Sequence, residues 1–99
     1  MNIENNPVIK GVMDESIVNL VLVVSEDCRE CSSLSNKLKV LQKMQRDIKL
    51  QEYNIGEFNN ANLFPNQIKV FITPALFVNK ELKLYGDAEI KKLYQLITI

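Results

Sequence analysis

The chain has 99 residues, which suffices for one domain with a modest core that holds without staples. Twelve basic and twelve acidic residues leave no net charge, and no run of Lys or Arg occurs. That excludes nucleic acid and an anionic membrane as obligate partners, and the absence of His excludes Cys–His nucleophiles, imidazole shuttles and His metal ligands.

Residues 1–16 are polar and punctuated by Pro7 and Gly11. They read as an N-terminal arm or short extra element ahead of a domain over residues 17–99. They show no charged segment followed by an apolar one, so no secretory signal is expected, and a cytoplasmic location is. The longest apolar run, Leu20 to Val24, is too short to cross a bilayer. Ile17 to Ser25 is nearly continuous in Val, Ile and Leu, the pattern of a central strand covered on both faces. Asp27-Cys28-Arg29-Glu30 reads as a capping-box-like helix start, with Asp27 and Glu30 as caps. Cys31, Leu34, Leu38, Leu41 and Met44 then recur at steps of three and four. They predict one buried face on a helix from about Arg29 to Arg46, with Lys37, Lys39 and Lys43 on the solvated side.

Ile48 to Ile55 is a second strand, with Ile48, Leu50 and Tyr53 as inward positions. Strand, long helix and strand make a right-handed parallel crossover. Glu57 to Phe64 reads as a short helix ended by Pro65. Val70, Phe71 and Ile72 lead into Thr73-Pro74, and Ala75 to Val78 is a strand. Asn79-Lys80 suits a two-residue hairpin turn, because Asn tolerates positive φ, and Glu81 to Tyr85 returns antiparallel. Gly86 breaks that strand, and Asp87 caps a last helix whose buried stripe is Ile90, Leu93, Tyr94 and Ile97.

The two cysteines, Cys28 and Cys31, form one Cys-x-x-Cys. A disulfide scaffold uses more cysteines, spread wider, and so small a loop gives little stability as a structural bridge. Three readings stand: a redox dithiol, two inert core thiols, or half of a metal or iron–sulfur site shared across a dimer. The metal reading is short of ligands, since zinc sites usually take four and this chain offers two cysteines.

Val21-Leu22-Val23-Val24-Ser25-Glu26-Asp27-Cys28-Arg29-Glu30-Cys31, Ile72-Thr73-Pro74-Ala75-Leu76-Phe77-Val78 and Gly86 together resemble the thioredoxin superfamily, including its glutaredoxin-like members. The likeness spans residues 17–97. A lone Cys-x-x-Cys is a weak signal; one that follows a buried strand and precedes a Thr-Pro at the opening of a later strand is stronger. The resemblance implies an α/β, thioredoxin-like fold of order βαβ-α-ββα, with a central mixed four-stranded sheet flanked by helices. It implies a thiol–disulfide oxidoreductase with Cys28 as nucleophile and Cys31 as resolving thiol. Thr73 and Pro74 then shape the substrate site, Pro74 being cis beside the dithiol and Thr73 offering backbone groups to an extended substrate. No organic cofactor and no metal is implied, because the cysteines store the electrons. The partners implied are a disulfide-containing protein or small-molecule disulfide and an upstream reductase or thiol, without nucleic acid or membrane, for a monomeric protein.

The sequence also departs from that pattern. Asp27 stands where many thioredoxins have Trp, Arg29-Glu30 where they have Gly-Pro, and Leu22 where they carry a buried acid. The Tyr-containing motif common in glutaredoxins is absent as well. These departures keep a second reading open, a docking module on the same scaffold with a vestigial or regulatory dithiol. In the redox reading, Cys28 at the helix start has its thiolate favoured by unpaired N–H groups and the helix dipole. Arg29 adds to this and Glu26, Asp27 and Glu30 oppose it, so a modestly activated cysteine and a reducing couple, below about −180 mV, are expected.

Overall fold

The computed structural model describes residues 17–45, 47–64 and 68–98. The arm expected over residues 1–16, the helix end at Arg46 and the break at Pro65 lie outside the described residues.

Strand β1, Val18–Val24, buries four successive residues, Leu20 to Val23, so both its faces are covered. It pairs in parallel with β2, Ile48–Asn54, and antiparallel with β3, Ala75–Val78. β4, Glu81–Tyr85, pairs antiparallel with β3 and completes a mixed sheet of order β2-β1-β3-β4. Three helices flank it: α1, Arg29–Met44, α2, Ile55–Ala61, and α3, Ile90–Thr98. Alternation along the strands divides the core into two layers. Leu20, Leu22, Leu76 and Val78 meet Leu34, Leu38 and Leu41 of α1 and Leu93 and Ile97 of α3. Val21, Val23, Ala75 and Phe77 meet Phe58, Phe64 and Val70 on the other side. There the Phe58 ring lies 5.3 Å from Phe77 and 5.6 Å from Phe64.

The strands and their hairpin follow the sequence reading closely. Asn79 and Lys80 both take positive φ, 50° and 73°, the signature of a two-residue type I′ turn. Asn79 ties this turn to the start of β1, accepting the Asn19 N–H at 2.9 Å and donating its own N–H to the Asn19 carbonyl at 2.8 Å.

The helices differ from expectation in their ends and flanks. Met44 is 67% exposed rather than buried. Each step of three falls about 60° short of a full turn, so the two successive steps from Leu38 to Met44 rotate it off the buried face. The cap of α1 is Cys28, not Asp27, which instead turns the chain at φ 54°. α2 begins at Ile55, ahead of Glu57, because Asn54 and Glu57 form a capping box. It stops at Asn62, in the left-handed region at φ 51°. Asp87 does not cap α3, which opens only at Ile90. Its carboxylate accepts the Ala88 N–H and pairs with Lys37 at 3.2 Å, so Lys37 leaves the solvated face of α1. α3 packs from one side through Leu93 and Ile97, leaving Ile90 and Tyr94 exposed.

Candidate active site

The buried β1 delivers the chain to a tight turn over Glu26 and Asp27, and the turn delivers it to α1. Cys28 is the N-cap residue, in an extended conformation at φ −111°, and its Sγ accepts the Cys31 N–H at 3.1 Å. A sulfur thus takes the capping place usually held by an oxygen and meets one of the orphan N–H groups of the first turn. Spacing of three on that turn brings the cysteines together, with Cα atoms 5.2 Å apart and a disulfide between them. Cys28 is half-buried, while Cys31 is only 4% exposed and opens the apolar stripe of α1.

Two other loops close on this helix start. Thr73 meets the end of β1 through a 2.6 Å hydrogen bond between its Oγ1 and Ser25 Oγ. The Thr73–Pro74 peptide bond is cis, and Pro74 is fully buried. The Pro74 carbonyl accepts the Gly86 N–H at 2.8 Å. Gly86 has φ +84°, which favours glycine, and a Cβ there would lie 3.9 Å from Glu30 Oε1. Cys28, Thr73-Pro74 and Gly86 therefore converge on one end of the sheet.

An open cleft of ≈ 750 Å³ runs from the disulfide between α1 and β2. Its walls include Ser25, Asp27, Cys28, Cys31, Ser35 and Glu52, while Thr73 and Pro74 stand outside it. Ser35 and Glu52 were not singled out by sequence patterning. Ser35 is the one buried polar residue besides Cys31 among the described residues, and its hydroxyl donates to the exposed Glu52 carboxylate. The available signal was its place four residues after Cys31, on the same helical face. Glu52 shares the pleat parity of Ile48 and Leu50, which aims it to the α1 side. Among the described residues no group of three or more Cys, Asp or Glu gathers as a metal-ligating set.

No protein-family model matches the chain, and no curated protein matches it in sequence. Solved structures do match its architecture. The thioredoxin-like protein Trxlp from Edwardsiella tarda is similar with a TM-score of 0.61 at 19% identity, over 97% of this chain and 96% of that one. Oxidised mitochondrial thioredoxin 3 from Saccharomyces cerevisiae is similar with a TM-score of 0.64 at 14% identity, over 92% of this chain and 86% of that one. Oxidised thioredoxin from Plasmodium falciparum is similar with a TM-score of 0.61 at 18% identity, over 93% of this chain and 88% of that one.

The chain has the thioredoxin fold. Within this thioredoxin fold the Cys28–Cys31 pair sits at the amino end of α1, directly after the central strand β1. No helix among the described residues is long and apolar enough to cross a membrane.

Proposed function

We propose that the chain is a thiol–disulfide oxidoreductase that reduces disulfides of proteins or small molecules. The observation that carries this reading is the asymmetry of the Cys28–Cys31 pair: one sulfur half-buried at a helix N-cap, the other sealed beneath it, both walling an open cleft. Exchange needs an accessible thiolate and a second thiol held to resolve the mixed disulfide. Cys28 serves as the first, its thiolate favoured by the N–H groups and dipole at the start of α1. It attacks one sulfur of the substrate disulfide, and the other sulfur leaves as a thiolate. Cys31 then attacks Cys28 Sγ; the Cys28–Cys31 bond forms, and the substrate's second sulfur leaves. Two electrons pass to the substrate, and an upstream dithiol restores the reduced pair.

Thr73 and Pro74 take the substrate-positioning role in this reading. The neighbouring Phe71 and Ile72 are 84% and 60% exposed, an apolar approach suited to a protein chain. The partners are accordingly a disulfide-containing substrate and an upstream reductant.

The test uses two single variants of the full chain. Cys28→Ser is expected to abolish disulfide reduction. Cys31→Ser is expected to accumulate a mixed disulfide at Cys28, visible by mass. Unchanged turnover in Cys28→Ser rejects the oxidoreductase reading and leaves a docking module.

A further inference from the structure

The oxidoreductase reading, on which this inference rests, leaves one proton without a carrier. Cys31 meets the mixed disulfide as a thiol and must lose its proton before it attacks, yet it is 4% exposed. No histidine exists to take it, and Leu22, on the strand beneath α1, is apolar and fully buried. Two carboxylates line the cleft, Asp27 and Glu52, and Glu52 is the one tied to the Cys31 face of α1. Ser35 lies one helical turn beyond Cys31 on the same face, and its buried hydroxyl is bonded to the Glu52 carboxylate. Cys28, Cys31, Ser35 and Glu52 all wall the same open space, roomy enough for water.

We propose that Glu52 is the proton acceptor for Cys31, with Ser35 as its positioning residue and the transfer relayed by cleft water. In the resolving step the proton moves from Cys31 Sγ to the Glu52 carboxylate. The Cys31 thiolate then bonds to Cys28 Sγ, the Cys28–substrate S–S bond breaks, and the substrate thiolate takes a proton from Glu52 or solvent. In the reverse step, when an upstream dithiol reduces the pair, protonated Glu52 returns a proton to the departing Cys31 thiolate. Other charged groups face the same cleft: Asp27 from the turn, and Arg29 and Lys39 from α1. Lys39, one turn beyond Ser35, adds a positive charge on the carboxylate's side, whereas Asp27 lies at the Cys28 end. Glu30 points instead toward Gly86.

The experiment mixes reduced full-length protein with a coloured aromatic disulfide and follows the two released thiolates in time. The first reports attack by Cys28, the second resolution by Cys31. In Glu52→Gln the first phase is expected to keep its rate. The second is expected to slow about tenfold or more near pH 6.5, with the gap closing as pH rises toward the ordinary thiol pKa of about 8.5. Glu52→Asp is expected to restore part of the rate, and Ser35→Ala to reproduce part of the loss. A normal second phase in Glu52→Gln at every pH overturns this inference and leaves the oxidoreductase reading standing. Slowing by one factor at all pH values also overturns it, because that marks displacement of Cys31 rather than a lost acceptor. Failure of the native protein to release even the first thiolate overturns the oxidoreductase reading, and this inference with it.

Discussion

Leu22 and Glu52 stand in register on the adjacent parallel strands β1 and β2. Their shared parity points both toward α1, but Leu22 is sealed in the core at 0% exposure while Glu52 reaches the cleft beside the cysteines. The sheet thus keeps its central strand apolar and presents its carboxylate from the edge strand.

That arrangement makes the Leu22 position intolerant of charge. Leu22→Asp removes a fully buried side chain from contact with Leu34 and Leu38 and places an unpaired carboxylate beside Glu52. The expected loss is more than about 3 kcal/mol at neutral pH, smaller where the new acid is protonated. Urea unfolding at two pH values measures both effects.

The second core layer is held by aromatic packing. Phe58 is 2% exposed and lies within 5.6 Å, centroid to centroid, of both Phe64 and Phe77. Phe58→Ala is expected to cost about 3–5 kcal/mol, since the surrounding rings cannot close the void completely. The urea midpoint reads the change.

How much of this was legible in the sequence depends on what each residue responds to. Strands β3 and β4 and the Asn79-Lys80 turn were legible because pleat and turn chemistry are local. The cysteine pair was legible because a spacing of three on a first turn leaves little freedom. Asp87 was not, since its partner Lys37 lies on another helix and the local pattern offered only a cap. Ser35 and Glu52 were missed for a like reason: their meeting depends on how α1 lies over β2, which no local pattern states.

Asp87 also carries a pH signature. The Ser33 hydroxyl and then, against partial burial, Lys37 and the Ala88 amide hold its carboxyl below the usual value. A depressed carboxylate stabilises the fold fully above its unfolded pKa of about 3.9, and that contribution is lost as pH falls through the lower folded value. Asp87→Asn is therefore expected to lower stability at neutral pH by about 0.5–1 kcal/mol. In strong acid the variant and the native chain should converge. Thermal midpoints across pH show the divergence or its absence.

The hairpin turn leaves room for improvement. Lys80 is exposed and holds φ 73°, a conformation that costs a residue with a Cβ about 1–2 kcal/mol. Lys80→Gly relieves that cost and gives back part of it as unfolded-chain entropy. The expected net gain is about 0.5–1 kcal/mol, seen as a higher urea midpoint at unchanged slope.

The central claim is that Cys28 and Cys31 exchange electrons as one unit. It is tested most directly by equilibrating the protein in graded dithiol buffers, quenching with an alkylating reagent and counting modified thiols by mass. Both sulfurs are expected to change state together, in one two-electron transition at a potential below about −180 mV, because Glu26, Asp27 and Glu30 outnumber Arg29 among the residues flanking the cysteines in sequence. Cysteines that stay unmodified or stay free across the whole buffer range, or a midpoint above that value, would contradict the account.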